Sequence, residues 1–124
     1  MKKLLLPALL CGLMIAATTQ ASSPTTSHFK GEPAETLSQA VVNFSEYNQR
    51  LAELLAQDEL SLTDLGTVHE LTYTLENALE KIQEEVATMA ETLEEVHLGS
   101  ETGDFERVQS NGTAYLEAAQ TLVN

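Results

Sequence analysis

The stretch from Thr67 to Leu98 contains neither of the helix breakers Pro and Gly. Apolar residues recur along it at alternating steps of three and four, the spacing of one face of an α-helix. The ten positions of this series are Leu65, Val68, Thr72, Leu75, Leu79, Ile82, Val86, Met89, Leu93 and Val96. Only Thr72 is polar. The pattern predicts one helix of about 37 residues, roughly 55 Å long, that packs in the manner of a coiled coil.

A second amphipathic segment precedes the long helix and runs roughly from Pro33 to Gln57. Its apolar positions also alternate at steps of four and three, and Pro33 suits the first turn of a helix. The residues that follow make a turn, in which Ser61 and Asp64 resemble a capping box with Asp in place of Glu. Two helices joined by such a short turn are expected to be antiparallel.

A third helix of roughly 18 residues is predicted after Gly99 and Gly103, which bracket the end of the long helix. Asp104 suits its N-cap, and its apolar series reads Phe105, Val108, Gly112, Tyr115, Ala119 and Leu122. Gly112 costs helix propensity but permits close backbone approach, so a weak point or kink is expected at Asn111 and Gly112.

The predicted fold is all-α, an antiparallel bundle of three helices with a long central helix, formed by residues 33–124. The outer helices, about 37 Å and 27 Å long, both flank the middle of the central helix but leave each end covered by one helix. Leu79 and Ile82 are therefore expected in the best-covered part. The exposed apolar ends favour self-association, most simply as an antiparallel homodimer. The alternative is a break near Gln83–Glu85 that produces a compact four-helix bundle, although no breaker residue lies there.

The first 21 residues have the pattern of a signal peptide. Lys2 and Lys3 precede the apolar run Leu4–Ala17, and small residues at Thr19 and Ala21 predict cleavage after Ala21 and a periplasmic location. The run is too short to span a bilayer, which takes about 20 apolar residues. Cys11 would leave with this segment, so the remaining chain is expected to have no disulfide, thiolate metal site or cysteine nucleophile.

The charge of the chain restricts its partners. The whole sequence carries a net charge of −13, and removal of two lysines and no acid with residues 1–21 brings the charge to −15. This charge opposes binding to nucleic acid or anionic lipid, and it favours basic partners and divalent cations. The polar segment 22–32, which has no apolar periodicity, is interpreted as a flexible arm.

Glu94, His97 and Glu101 are the candidate metal ligands, because positions i, i+3 and i+7 share one face of a helix. Imidazole and carboxylate ligands suit zinc, copper or nickel. A carboxylate di-iron site would need a second E-x-x-H, and Gly66 stands three residues before His69. The simpler interpretation is that His97 is a cation near the helix C-terminus, stabilised by the helix dipole and adjacent carboxylates.

His69 and His97 are four heptads apart, so they share a helix face but stand about 42 Å from each other. One chain cannot bring them together. An antiparallel dimer centred near Gln83 could place His69 of one copy beside His97 of the other. His28, in the arm, could act as a mobile ligand.

Three segments carry a resemblance to a known family: HFKGEPAETLSQAVVNFSEYNQRLAELLA, HELTYTLENALEKI and ETLEEVHLGSETGD. They resemble an uncharacterised family of small secreted helical proteins of marine proteobacteria, and the resemblance implies a secreted protein without indicating an activity. The architecture is also similar, more distantly, to the periplasmic four-helix cytochromes. This chain departs from them, since it has no CxxCH and no Met and His pair at the two ends of the mature chain.

The sequence predicts a periplasmic, acidic, non-enzymatic binding or interaction protein with no cofactor. It has no G-x-S-x-G, no phosphate-binding glycine loop and no pair of carboxylates expected to be buried together. The partner is expected to be a second copy of the chain or another protein. The alternative is a metal- or haem-binding helical bundle, which a haem absorption band or stoichiometric metal in the purified protein would reveal.

Overall fold

A computed structural model describes residues 29–123, which form three α-helices and no strand. Helix α1 is Leu37–Leu55, α2 is Leu62–Thr102 and α3 is Phe105–Val123. The all-α fold with a long central helix is confirmed, and the four-helix alternative is wrong because α2 continues through Gln83–Glu85 without a break. The predicted signal peptide 1–21, residues 22–28 of the predicted arm and His28 lie outside the described residues.

The helix starts are set by side-chain caps. α1 begins at Leu37 rather than Pro33, because the Thr36 hydroxyl accepts a hydrogen bond from the backbone N–H of Gln39 at 3.2 Å. α2 begins with the predicted capping box. The Ser61 hydroxyl accepts from the Asp64 N–H at 3.2 Å, and the Asp64 carboxylate accepts from the Ser61 N–H at 2.8 Å.

The capping box makes the stability of α2 depend on pH. Hydrogen bonds from the hydroxyl and backbone N–H of Ser61 lower the pKa of Asp64 from its ordinary value of 3.8. Because the folded-state pKa is depressed, the contribution of Asp64 is present above its unfolded pKa and disappears as the pH falls through the folded one. We expect Asp64→Asn to lower the melting temperature at pH 7, and the gap to wild type to shrink as the pH falls below the ordinary carboxyl pKa of 3.8. Thermal melts of both proteins from pH 7 down to acid pH test this expectation, and Asp58→Asn in the same turn is the control. A gap that stays constant with pH would contradict the capping role.

α2 ends later than predicted, and its two glycines have different roles. The helix passes through Gly99 and stops at Gly103, which has a positive φ of 70°. The N–H groups of Gly103 and Asp104 both donate to the carbonyl of Gly99. Gly99 itself is buried under α3, where an added Cβ would lie 3.0 Å from a methyl group of Val108 and 3.3 Å from Arg107.

Gly99, rather than the predicted Gly112, is therefore the glycine of closest helix approach. At Gly112 an added Cβ would meet Val96 at an ordinary 3.9 Å. α3 continues through Asn111 and Gly112 as one helix. Phe105, the first residue of the predicted apolar series of α3, is 88% exposed.

α1 and α3 divide the length of α2 between them. Each has 19 residues, or about 28 Å, against 41 residues and about 61 Å for α2. Both pack on α2, and they also contact each other. The buried apolar residues of the described chain are Leu37, Ala40, Leu71, Leu75 and Ala78. The core therefore lies between α1 and the first half of α2, and α3 has no buried residue.

Only half of the ten positions in the predicted apolar series of α2 belong to its packed face. Val68, Leu75, Ile82, Met89 and Val96 are buried or half-buried, as expected of packed positions. The other apolar members are about half exposed: Leu65 51%, Leu79 49%, Val86 46% and Leu93 45%. The second line of residues on the packed face is instead formed by residues outside the predicted series: Leu71, Ala78, Glu85, Thr92 and Gly99. The expectation that Leu79 lies in the best-covered part of the bundle is wrong.

The segment before α1 packs against α2 through polar contacts. The Thr74 hydroxyl accepts from the backbone N–H of Glu32 at 2.9 Å, and the Asn77 side-chain amide donates to the carbonyls of Lys30 and Glu32, both at 2.9 Å. Gly31 has a φ of 69°, and a Cβ there would lie 2.6 Å from the backbone nitrogen of Thr74. Residues 29–32, the end of the predicted arm, therefore contact α2 closely, which the sequence did not indicate.

Candidate functional site

Four apolar side chains of α2 form a line on its outer surface. Leu65, Leu79, Val86 and Leu93 are separated by multiples of seven residues, or two helical turns, so they share one face. Thr72 occupies the remaining position of the line. These five residues are called the exposed stripe. The stripe extends over 28 residues, about 42 Å at 1.5 Å per residue.

The exposed stripe is only partly covered by the described residues, because α1 and α3 both pack on a neighbouring side of α2. That side is centred on Leu71, Ala78 and Gly99, which are buried, and on Leu75 between them and the stripe. Its four apolar members therefore border the packed face but remain about half exposed to water, and Thr72 is half-buried. Several exposed apolar side chains aligned on one helix face are a more specific sign of protein association than a single exposed side chain.

The surface next to the exposed stripe carries few charges. The adjoining positions, one turn further along the helix, are His69, Glu76, Gln83, Ala90 and His97. α2 contains ten carboxylates, and Glu76 is the only one in the stripe or in the columns of side chains on either side of it. The other nine lie further round the helix. The stripe is thus the least acidic face of the longest helix in a strongly acidic chain.

The candidate metal ligands lie beside one end of the exposed stripe. His97 Nε2 is 3.5 Å from Glu101 Oε1, and both side chains are about 60% exposed. His97, Glu94 and Leu93 line a shallow groove on the surface of α2. Within residues 29–123, no three His, Cys, Asp or Glu side chains are arranged so that they could hold a metal ion. The structure therefore brings His97 and Glu101 together but does not complete a site with Glu94.

His97 also does not lie at a helix terminus. α2 continues for five residues beyond it, and the last turn of the helix contains no basic residue. The placement of His97 in the last turn of the helix is therefore wrong, whereas the expected neighbouring carboxylate is present in Glu101, 3.5 Å away. At the other end of the stripe, the ring of His69 contacts Tyr73 edge-on, with the centroids 5.0 Å apart. The two histidines thus lie on the same flank of the stripe, near its two ends.

A cleft between α1 and α2 is a second concave feature, and the sequence did not predict it. Its lining includes Phe29, Tyr47, Arg50, Leu54 and Leu71. The guanidinium of Arg50 lies 4.9 Å from the centroid of the Tyr47 ring, and its nearest carboxylate, Glu46, is 3.9 Å away. Phe29 reaches the cleft only because residues 29–32 pack on α2. No periodicity in the sequence could indicate that placement.

Two of the remaining cations are neutralised by carboxylates of the chain itself. Arg107 of α3 binds Glu95 of α2, with Nε to Oε2 at 2.7 Å, and ties the two helices together. Lys81 lies 2.8 Å from Glu85 and 3.0 Å from Glu84, and these carboxylates raise the pKa of its ammonium group. Both ion pairs are structural, and they leave the outer surface predominantly acidic.

These features define a small, acidic, three-helix protein whose most distinctive surface is an apolar line along its central helix. The chain belongs to DUF6746, a family of unknown function, whose profile matches residues 1–124. Membership of an uncharacterised family, as the sequence segments suggested, is confirmed to this extent. No curated protein and no solved structure matches the chain. In the part of the chain that is described, no helix is both long enough and apolar enough to cross a bilayer.

Proposed function

We propose that this chain is an exported, acidic, non-enzymatic protein that acts by binding another protein chain along the exposed stripe. The observation that carries the proposal is the stripe itself, an apolar line of about 42 Å that the outer helices leave half exposed. Burying such surface is the dominant favourable contribution to protein association. A helix of this length gives a partner a long and straight surface to bind.

Among the described residues, the polar groups with a shifted pKa or full burial are engaged in structural contacts. Catalytic groups are usually found in clefts, with pKa values shifted by burial or by a specific charge. Here the shifted pKa of Asp64 belongs to a helix cap and that of Lys81 to a surface ion pair. Thr74, the one fully buried polar residue of the described chain, binds the segment before α1.

Export to the periplasm rests on residues 1–21, where two lysines, an apolar run and a small-residue cleavage site follow one another. We expect signal peptidase to cleave after Ala21. Mass spectrometry of the protein recovered from a periplasmic extract gives the N-terminus directly. An N-terminus at Met1, or recovery only from the cytoplasm, would contradict export.

Site-specific photo-crosslinking tests binding at the stripe. A photoreactive phenylalanine derivative at Val86, in the stripe, is compared with the same group at Val42 on α1, which is 58% exposed against 46% for Val86. We expect a discrete crosslinked protein product from position 86 in the native extract and little or none from position 42. Equal labelling at both positions, or none at either, would contradict the proposed function.

The alternative is a metal- or haem-binding bundle. Within residues 29–123, no group of three His, Cys, Asp or Glu side chains is placed to hold a metal ion. The same purified protein serves to test it. A haem absorption band or stoichiometric zinc, copper or nickel would replace the proposed function with this alternative.

A further inference from the structure

The spacing of the exposed stripe specifies the kind of surface that can cover it. Apolar positions repeated every seven residues, and bordered by a second line at steps of three and four, form the contact surface that one α-helix presents to another. A globular patch would not require such a regular line over four heptads. The occupant is therefore a helix of at least about 28 residues, and α2 of this same chain, with 41 residues, has that length.

The charges beside the stripe distinguish between possible helices. A basic partner helix would be matched by carboxylates flanking the apolar line, as in charge-paired coiled coils. Nine of the ten carboxylates of α2 lie elsewhere on the helix, and only Glu76 adjoins the stripe. An acid-poor contact face on a chain with a net charge of −13 is what a partner of the same charge requires.

We propose that the occupant of the stripe is α2 of a second copy, packed antiparallel, in a two-fold symmetric dimer. This rests on the proposed function and names its partner. The stripe is centred on Leu79, and in the antiparallel pair each stripe position of one copy meets a flanking position of the other, as Leu79 meets Gln83 and Leu65 meets His97. The flanking positions are symmetric about Gln83, one turn away, which places the two-fold axis between Leu79 and Gln83.

The antiparallel direction follows from the flanking residues. In a parallel pair in register, Glu76 would stand beside Glu76 of the other copy, and like charges placed together are destabilising. In the antiparallel pair, Glu76 faces the uncharged Val86 of the other copy instead. The same symmetry places His69 of each copy opposite Leu93 of the other, one turn from His97, near both ends of the contact.

The small size of the contact indicates a weak dimer. A strip about 42 Å long and about 10 Å wide covers roughly 400 Å² per copy, half of the ~800 Å² per partner in a standard interface. We therefore expect a weak dimer, with a Kd on the order of 10 µM. Because both copies are acidic, salt should strengthen the dimer, whereas salt would weaken binding to a basic partner.

Sedimentation of the purified protein across micromolar concentrations tests the dimer, with Leu93→Glu as the stripe variant. Leu116→Glu on α3 is the matched control, since Leu116 is 55% exposed and Leu93 45%. We expect wild type and Leu116→Glu to dimerise alike, and the Kd of Leu93→Glu to rise at least tenfold while circular dichroism shows unchanged helix. Leu79→Glu replaces Leu93→Glu if the latter does not fold. A wild type that stays a compact monomer to about ten times the expected Kd, or equal dissociation by both variants, would overturn the dimer.

The distance between two spin labels distinguishes antiparallel from parallel packing of the two α2 helices. Spin labels attached to His97→Cys, in a Cys11→Ser background, should lie about 40–55 Å apart in the antiparallel dimer. In a parallel dimer the labels would lie within about 20 Å, because neighbouring helix axes are 8–10 Å apart. The short distance would overturn the antiparallel arrangement. If the protein is monomeric but Val86 still crosslinks a different protein in the extract, the dimer fails and the proposed function stands.

Discussion

Replacing Leu75 with Asp is expected to unfold the protein, whereas the same replacement at Leu79 should leave it folded and helical. The two residues are one turn apart on α2, but Leu75 is 8% exposed and Leu79 is 49% exposed. A carboxylate at position 75 would be buried between α1 and α2 without a partner, at a cost of about 4 kcal/mol or more. A domain of this size has a total free energy of unfolding of only about 5–10 kcal/mol.

Circular dichroism and urea denaturation of the two variants provide the measurement. Both measurements should be made at about 1 µM protein, well below the expected Kd of the dimer. All proteins are then monomeric, so an effect of Leu79→Asp on dimerisation cannot change the measured stability. We expect Leu75→Asp to lack a cooperative transition and Leu79→Asp to unfold close to wild type. Equal loss of structure in both variants would mean that the packed face of α2 has been wrongly assigned.

Replacing Gly99 with Gln should destabilise the protein, although Gln is the better helix former. Any Cβ at position 99 would lie 3.0 Å from Val108 and 3.3 Å from Arg107, so a longer side chain must push α3 away from α2. Such overpacking costs about 1–3 kcal/mol. Gly66→Gln is the matched control in the same helix, because nothing lies within 4 Å of a Cβ at position 66. It should gain about 0.5–1 kcal/mol from helix propensity.

Because the two substitutions are expected to change the free energy of unfolding in opposite directions, comparing them separates the effect of packing from that of helix propensity. Urea denaturation measures the free energy of unfolding of both variants, and hydrogen exchange locates the loss in Gly99→Gln. We expect faster exchange in α3 and unchanged protection in α1. Stabilisation by both substitutions would show that α3 does not pack closely over Gly99.

The helices and their turns could be predicted from the sequence because their signals are local. The capping box at Ser61 and Asp64 fixes the start of α2, and the left-handed residue at its end is Gly103, one of the two predicted glycines. The start of α1 was placed four residues early, since the Thr36 cap competes with the usual preference for Pro33 in a first turn. Such signals depend only on neighbours within one turn.

The packed face of α2 could be predicted only in part, because two choices fit the same periodicity. Leu75 and Ile82 belong to the packed face under either choice. On one side of them lie the large residues of the stripe, and on the other lie small or polar ones such as Ala78 and Gly99. Hydrophobicity favours the large residues, but small ones allow α1 and α3 to approach more closely. The choice therefore depends on tertiary packing, which periodicity does not contain.

The candidate site could also be predicted only in part, because residue spacing shows which side chains share a helix face but not which face is packed. Spacing correctly placed His97 and Glu101 on one face, and they lie 3.5 Å apart. Spacing also identified the apolar heptads but assigned Leu79 to the interior. The contacts of Thr74 and Asn77 with residues 30–32 join positions more than 40 residues apart through polar atoms. No local pattern encodes such a contact.

The uneven placement of the core gives the two halves of the molecule different resistance to local opening. Within residues 29–123, the buried apolar residues all lie between Leu37 and Ala78, while α3 rests on α2 through half-buried side chains, Gly99 and the Arg107–Glu95 ion pair. Local opening costs least where little apolar surface is buried. α3 can therefore detach while the hairpin of α1 and α2 persists. The segment of α2 beneath it would then lose its cover, and proteolysis is expected to cut α3 and the end of α2 before it cuts the hairpin.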